Sequence, residues 1–225
     1  MMRRINLHNH TTFSDGQKTP KELVEEAIDK GLDEIAITDH YEYFLGFANF
    51  KSNIKLYFTV LNHLKQKYKK IKILAGVEID FRLFDPADLP IEYYKDLDFI
   101  LFERVNTPTE LANLIKLRKE IPFKVGLAHP SLKGFINFDK LVDDLEKNKI
   151  FVELNTACFD FSDRDAKNKP LVFETREHFF KLLKNRKVKV SIGADVHRSW
   201  DTVDRIDEAY DFLKKMNLED NLIEF

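Results

Sequence analysis

Short apolar runs alternate with longer amphipathic stretches along the chain, and this pattern predicts the fold. Seven runs are rich in β-branched residues, and most are almost continuously hydrophobic rather than alternating. Such runs are typical of strands that are buried on both faces of a parallel sheet. The predicted strands cover residues 3–7, 34–38, 72–79, 99–102, 124–128, 150–154 and 188–192.

Helical patterns with clear start signals lie between these strands. Residues 19–22 read Thr-Pro-Lys-Glu, a capping box with proline at the first helical position, and Gly31 is placed to end that helix. Residues 107–110 repeat the same start signal. Further helices are predicted near residues 53–70, 137–148, 171–185 and 201–215. Seven strands alternating with helices predict a parallel α/β architecture.

Composition narrows the class of protein. The chain has 225 residues, 44% of them hydrophobic, and 36 basic against 38 acidic side chains give a net charge of −2. This balance disfavours a nucleic-acid binder that depends on a positive excess. The single Cys158 excludes an intramolecular disulfide framework and a cysteine-based zinc cluster. With no linker, secretory signal or membrane-spanning run evident, we expect one cytoplasmic domain over residues 1–225.

Ionisable or polar side chains follow every predicted strand. Five of the seven histidines lie in these positions. The C-terminal ends of parallel barrel strands meet at one face, where barrel active sites are built, so we expect these side chains to converge. They are His8, Asn9 and His10; Asp39 and His40; Glu78 and Asp80; Glu103 and Arg104; His129; Glu153 and Asn155; and Asp195 and His197.

Imidazoles mixed with carboxylates favour divalent zinc, manganese or iron. His8 and His10 are two residues apart, as are Asp195 and His197, so both members of each pair can face one cavity. About nine candidate ligands are too many for one ion, which indicates two or three ions. Two ions about 3.5–4 Å apart can clamp the attacking and leaving oxygens of a phosphoester displacement. The candidates are His8, His10, Asp15, His40, Glu78, Glu103, His129, Asp195 and His197.

Six short motifs carry these candidate residues along the chain. They are His8-Asn9-His10, Ser14-Asp15-Gly16, Ile37-Thr38-Asp39-His40, Gly76-Val77-Glu78, Ala128-His129-Pro130 and Gly193-Ala194-Asp195-Val196-His197. In this order and spacing, over residues 8 to 197, the motifs resemble those of the PHP (polymerase and histidinol phosphatase) family of metal-dependent phosphoesterases. The resemblance implies a distorted, TIM-like seven-stranded (β/α) barrel with the metal site at the C-terminal ends of the strands.

The resemblance also implies an arrangement of ligands. His8, His10, Glu78 and Asp195 would hold one metal; Glu78 would bridge to a second that also takes His129; and Asp15, His40 and His197 would hold a third. A hydroxide held between the first two ions would attack phosphorus. The family usually places a histidine after strand four, whereas this chain has Glu103. Glu103 could replace it as an oxygen ligand, which would favour harder metals, or could form a salt bridge with a neighbouring cation.

Other residues are candidates for proton transfer and substrate binding. Asp15, His40 and His197 are the catalytic candidates, since Asp15, a water on the metal or a displaced histidine could protonate the leaving group. Asp15 could instead be an ordinary turn residue before Gly16. Asp39 is expected to orient a metal-bound histidine. The candidates for substrate contact are Arg104, Asn155, Arg164 and Arg198, with Asn155 alternatively bonding a water on the metal and each arginine alternatively solvated in its loop.

Three functions are compatible with these features. The first is a metal-dependent phosphomonoesterase that acts on a small metabolite, with histidinol phosphate a candidate by resemblance. The second is a nuclease or phosphodiesterase of the same family, which the charge balance disfavours. The third is a metal-stabilised barrel without activity, suggested only by the missing histidine after strand four. No membrane partner is expected.

Overall fold

Seven parallel strands form the centre of the fold in the computed structural model, which describes residues 2–41, 50–83, 95–159 and 169–225. Each strand pairs with the next in chain order. Leu7 N donates to Ile192 O at 2.7 Å and His10 N donates to Val196 O at 3.0 Å, so the first and last strands also meet. The predicted, nearly closed barrel is confirmed. The strands are β1 Ile5–Asn6, β2 Glu34–Ile37, β3 Lys72–Asp80, β4 Phe99–Glu103, β5 Lys124–Leu127, β6 Ile150–Asn155 and β7 Val190–Gly193.

Helices connect these strands in the described parts of the chain. The Thr19 side chain accepts from Glu22 N, and Gly31 follows the first helix with φ of 69°, as its start and stop signals predicted. The second capping box, at Thr107 and Glu110, also forms. The helices are α1 Pro20–Asp29, α2 Phe50–Lys67, α3 Pro108–Arg118, α4 Phe138–Asn148, α5 Glu177–Leu183 and α6 Asp207–Met216, with 3₁₀ turns at Val172–Arg176 and Glu219–Asn221.

Strand β1 is shorter than predicted because a side chain interrupts its ladder. Asn6 Oδ1 accepts from the backbone N–H groups of His8, at 3.3 Å, and Ala194, at 3.0 Å. An amide side chain therefore takes the place of strand-to-strand bonds at the point where β1 and β7 meet. The residues after Asn6 no longer have regular strand geometry, and they include His8 and His10.

Two predicted helices have different bounds in the structure. The helix expected over residues 171–185 is a 3₁₀ turn followed by the short α5. The helix expected from Asp201 begins at Asp207 instead. Asp201 Oδ2 accepts from His197 N at 3.1 Å and Arg198 N at 2.8 Å. Its side chain therefore secures the loop after β7 and does not start a helix.

The strands are buried on both sides, as their continuous apolar runs predicted. Every residue of β3 after its first is buried, and the fully buried aromatic residues include Phe99 and Phe102 of β4. This rigid apolar body supports a polar face at the C-terminal ends of the strands. Among the described residues, no helix combines the length and the apolarity needed to cross a membrane.

Candidate metal centre

All nine predicted ligands lie at the C-terminal end of the barrel. Their donor atoms form three overlapping groups, which we call the first, second and third sites. The first contains His8, His10, Glu78 and Asp195; the second contains Glu78, Glu103 and His129; and the third contains His10, Asp15, His40 and His197.

The first site places two carboxylate oxygens within 3.5 Å of two imidazole nitrogens. His8 Nε2 and His10 Nε2 are 2.9 Å apart. Glu78 Oε2 lies 3.3 Å from the first nitrogen and 3.2 Å from the second, and Asp195 Oδ1 lies 3.5 and 3.3 Å from them. Metal–ligand bonds of about 2.0–2.2 Å in a tetrahedron separate neighbouring donors by roughly 3.3–3.6 Å. Most of these separations are therefore close to those expected around one zinc-sized ion.

The second site shares Glu78 with the first. Glu78 Oε1 lies 2.9 Å from His129 Nε2, while its other oxygen faces the first site. The carboxylate of Glu103 completes this group, in the position where the family usually has a histidine. Glu103 also lies 3.4 Å from Arg104 Nε, so the predicted ligand and the predicted salt bridge are both compatible with its position.

The third site is more open than the other two. Asp15 Oδ1 lies 3.4 Å from His197 Nε2, and Asp15 Oδ2 lies 3.9 Å from His40 Nε2. His197 Nδ1 lies 3.1 Å from the Asp195 carbonyl oxygen, so the ring donates there and leaves Nε2 to face Asp15. Asp15 is a third exposed, whereas the carboxylate of Glu78 is almost fully buried.

Unusual backbone conformations aim several residues into this face. Arg104, His129 and Asp195 follow β4, β5 and β7 directly or closely and have positive φ angles of 63°, 28° and 50°. Such conformations cost about 1–3 kcal/mol for residues other than glycine and persist only where their surroundings hold them. Asp195 N donates to His8 O at 2.8 Å, and His129 N donates to Glu153 Oε2 at 2.7 Å.

Glu153 is a buried carboxylate beside the first and second sites, and although it is one of the strand-end side chains, no role at the site was predicted for it. Glu153 Oε1 lies 2.8 Å from His8 Nδ1, and its other oxygen accepts from His129 N. A Cβ atom at Gly193 would collide with Glu153 and His8, which explains the glycine at the end of β7. Glu153 follows the apolar start of β6 and shares a strand face with Asn155, so the signal that could have identified it was present.

The predicted role of Asp39 changes once its contacts are known. Asp39 Oδ1 accepts from Thr11 N and Ser14 Oγ, and Asp39 Oδ2 accepts from Thr11 Oγ1, so this carboxylate holds the loop that leads to Asp15 rather than orienting a histidine.

Asn155 donates to Glu153 and Asp195, each at 3.2 Å, and accepts from two backbone N–H groups. These bonds indicate that Asn155 positions Asp195, while its contact with a substrate stays a prediction.

The electrostatics couple imidazoles to carboxylates. Burial alone lowers the pKa of His8, His10 and His129, but the surrounding carboxylates outweigh it and raise the pKa of His8 well above its ordinary value and those of the other two to about 9. In turn, burial raises the pKa of Glu78 and Asp195, but the histidines lower both to below their usual range. In the metal-free protein the carboxylates are therefore ionised and these three imidazoles are protonated, so a metal ion would take the place of the imidazole protons.

His40 and Asp15 lie on the more exposed side of the metal centre, and the pKa of His40 shifts in the opposite direction from those of the buried histidines. Burial lowers the pKa of His40 to about 4, although Glu78 opposes this. Burial raises the pKa of Asp15, but its contact with His197 outweighs this and lowers it to about 2. At neutral pH, His40 is a neutral imidazole and Asp15 is a carboxylate. Both are in the state that a metal ligand requires, and we infer that Asp15 is a ligand rather than a proton donor.

Unsatisfied polar atoms also indicate that the metal centre is suited to divalent cations. Asp195 Oδ1 and His10 Nδ1 are buried without a hydrogen-bond partner among the described residues. Leaving such atoms unsatisfied costs about 1–3 kcal/mol each, and more for charged groups. Burial and the nearby charge of Glu78 also raise the pKa of Glu103, so the two carboxylates of the second site repel each other. A bound cation would relieve this repulsion.

Cationic side chains near the cluster differ in their availability. Arg198 is exposed and lines a cavity of about 440 Å³ together with Asp15, Asp195 and His197. Arg104 Nε lies 2.9 Å from Asp80, and Arg164 lies outside the described residues. Arg205, which was not predicted, lines the same cavity and donates to Ala194 O at 3.0 Å. No sequence motif identifies Arg205, because it lies in the irregular loop between β7 and α6.

The family model of the PHP domain matches residues 6–160. The chain belongs to the PHP domain family. A "Probable phosphatase" from Acetivibrio thermocellus is 27% identical over 229 residues, covering 97% of this chain and 89% of the relative. A "Probable histidinol-phosphatase" from Thermotoga maritima is 27% identical over 231 residues, covering 96% and 93%. The PHP fold is also that of a solved Lactococcus lactis histidinol phosphate phosphatase complexed with zinc, L-histidinol and phosphate, at a TM-score of 0.62 and 19% identity over 96% of this chain and 94% of that one.

Proposed function

We propose that this PHP domain hydrolyses small phosphomonoesters with the aid of two or three divalent ions at the three sites. The observation that carries this proposal is the sharing of Glu78, whose two oxygens face the first and second sites separately. The phosphatase names of relatives that align over nearly their whole length support it. Zinc, manganese and iron suit the mixed donor set, and Glu103 in place of an imidazole shifts the second site toward the harder ions.

The protein's own residues supply ligands, orientation and charge. His8, His10, Glu78 and Asp195 would hold the first ion; Glu78, Glu103 and His129 the second; and Asp15, His40 and His197 the third. Divalent ions at such sites lower the pKa of a water molecule and stabilise the negative charge that develops on phosphoryl oxygens. Glu153 fixes the ring of His8 so that Nε2 faces the cluster.

Substrate recognition depends on the cavity beside the third site. Arg198 and Arg205 line it, and guanidinium groups bind phosphate oxygens through paired hydrogen bonds. Its volume of about 440 Å³ lies in the range of small-molecule sites. His197 is partly exposed on the same wall, and if it were displaced from the third ion it would be placed to donate a proton to a departing alkoxide. Asp15, ionised at neutral pH, is poorly suited to that task.

The proposal is tested with purified protein, metal-free and reconstituted separately with Mn²⁺, Zn²⁺ and Fe²⁺. We expect hydrolysis of p-nitrophenyl phosphate only after reconstitution, and turnover of at least one member of a phosphorylated-metabolite panel that includes histidinol phosphate. A His10→Ala variant should retain its fold and lose activity. The proposal is wrong if metal-loaded protein releases no phosphate from any monoester.

The same assay distinguishes a nuclease from a monoesterase. Single-stranded DNA and bis(p-nitrophenyl) phosphate are offered at equal phosphate concentration. Faster cleavage of either diester than of every monoester would show that the substrate class proposed here is incorrect. Metal content measured on the same samples separates a missing ion from an unsuitable substrate.

A further inference from the structure

A second cavity lies at the opposite end of the barrel from the metal centre. It has a volume of about 420 Å³. Lys124 begins β5, Ile150 begins β6, and Lys189 directly precedes β7, so the N-terminal ends of three neighbouring strands form its wall. The C-terminal ends of α3 and α4 contribute Arg118 and Lys149. We call this space the basal cavity.

The basal cavity is basic, although the whole chain carries a net charge of −2. Five cationic side chains line it against two carboxylates, Glu146 and Glu224. Both carboxylates have cationic partners outside the cavity lining, since Glu146 lies 3.4 Å from Arg186 and Glu224 lies 3.7 Å from Arg3. The five cations are Arg118, Lys124, Lys149, Lys187 and Lys189.

None of these five cations forms an ion pair with a carboxylate of the described residues. Three of them donate to neutral carbonyl oxygens instead: Arg118 to Ile121 at 2.7 Å, Lys124 to Glu224 at 2.5 Å and Lys189 to Asp220 at 2.9 Å. Arg118 Nε is in addition a buried donor without a hydrogen-bond partner in the described chain. No carboxylate of the described residues thus lies within ion-pair distance of these five charges, while Lys124 also lies over the ring of Phe225, and burial lowers the pKa of Arg118 and Lys124.

Helix dipoles explain the positions of only some of these five cations. Cations at the ends of helices offset the partial negative charge of the last carbonyl groups, which suits Arg118 and Lys149. Lys124, Lys187 and Lys189 lie at the strand starts or in the segment before β7, where no such dipole acts. The lining also includes the apolar side chains Ile150, Phe151 and Ile223.

We propose that the basal cavity binds a small organic anion with an aromatic or apolar body and an acidic group. The volume is suited to a molecule of this size, the carbon chains of the lining lysines to its body, since Ile150, Phe151 and Ile223 are almost fully buried, and the cations without a carboxylate at ion-pair distance to its charge. Because the cavity and the metal centre lie at opposite ends of the barrel, such a ligand would not compete with a phosphate ester for the metal centre.

The test uses two fluorescent dyes that differ in charge: 1-anilinonaphthalene-8-sulfonate and its uncharged analogue N-phenyl-1-naphthylamine. Each is titrated into the full-length protein and into a Lys149→Gln/Lys187→Gln double variant. A matched Lys55→Gln/Lys69→Gln variant removes the same charge from the exposed surface of α2 and its C-terminal end. Melting temperatures verify that all three proteins fold.

We expect the cavity variant to bind the sulfonate at least tenfold more weakly than the unmodified protein. The surface variant should change that affinity less than twofold, and the neutral dye should bind all three proteins alike. Equal sulfonate affinity in the cavity variant, or the same loss in the surface variant, would overturn the proposal. So would a parallel loss of the neutral dye, since recognition would then not depend on charge.

Discussion

Glu153 and His8 are joined by a contact of 2.8 Å between Oε1 and Nδ1, and both side chains are buried. The carboxylate accepts a hydrogen bond from Nδ1–H and so directs His8 Nε2 at Glu78 and Asp195, where this nitrogen can bind a metal once it gives up its own proton. The second oxygen of Glu153 accepts from the backbone of His129. One carboxylate that faces no metal position of its own therefore orients a residue of the first site and a residue of the second.

Replacing Glu153 by glutamine tests this dual role. Glutamine keeps the shape but has a single acceptor oxygen, so it can satisfy His8 Nδ1 or His129 N and not both. We expect metal affinity and kcat to fall by about 10- to 100-fold, the usual effect of losing a partner behind a metal ligand. Metal content by elemental analysis and phosphatase kinetics would measure both quantities.

A Glu208→Gln variant on α6 is the matched control, because it makes the same chemical change on an exposed side chain outside the metal centre. Its metal content and kcat should equal those of the unmodified protein. If the Glu153 variant also stays within twofold on both measures, the carboxylate does not position the ligands.

Exchanging Glu103 for histidine tests the identity of the second ion. Glu103 lies with Glu78 and His129 where the family usually supplies an imidazole. Since carboxylates favour harder metals than imidazole does, Glu103→His should raise the ratio of zinc- to manganese-supported activity by about tenfold. Reconstitution with each ion, followed by p-nitrophenyl phosphate kinetics, measures the ratio. A Glu103→Gln variant should lower activity with both ions; an unchanged ratio in the histidine variant would mean that Glu103 is not a ligand.

Much of this arrangement followed from one-dimensional patterns. Continuous apolar runs predicted parallel buried strands, and parallel strands place residues such as His8, Glu78 and Asp195 at one end of a barrel. The patterns fail where side chains bond to backbone N–H groups, as Asn6 does at the end of β1 and Asp201 does before α6. The bond from Ala194 to Asn6 joins residues that are distant in the chain, whereas Asp201 bonds within its own loop, and neither bond has a periodic signal.

The same limit applies to the residues that support the site. Glu153 was visible at the end of a strand, but its contacts with His8 and His129 depend on how three strands meet. Arg205 follows an irregular loop, so its position beside Asp195 could not be derived from periodicity. The ligand types were predictable because they recur at strand ends, whereas their partners depend on packing.

Removing the charge of Arg198 should weaken substrate binding. Its side chain is exposed in the cavity beside the third site, where it can meet a phosphate without breaking other contacts described for it. We expect Arg198→Gln to raise KM about tenfold with kcat within threefold, in line with about 1.5 kcal/mol for a hydrogen bond to a charged group. Arg4→Gln, a partly exposed arginine that pairs with Asp207, is the control and should leave both constants unchanged. A fall in kcat at constant KM would contradict a role in ground-state binding.

The metal-free protein should lose stability as the pH rises from about 6.5 to about 9. His10 and His129 have a pKa of about 9 in the fold, against about 6.5 when unfolded. Groups with a raised pKa stabilise fully below the unfolded value, and this stabilisation disappears as pH passes through the folded value. We expect Tm to fall by at least about 4 °C over this interval in chelator-treated protein. With metal bound the slope should reverse, because protons then compete with the ion for the same nitrogens. Calorimetry on both forms measures how Tm changes with pH. A His10→Asn/His129→Asn variant should show a smaller change of Tm with pH when metal-free. A metal-free Tm that stays constant or rises with pH would show that the surrounding carboxylates do not stabilise the charged form of these imidazoles.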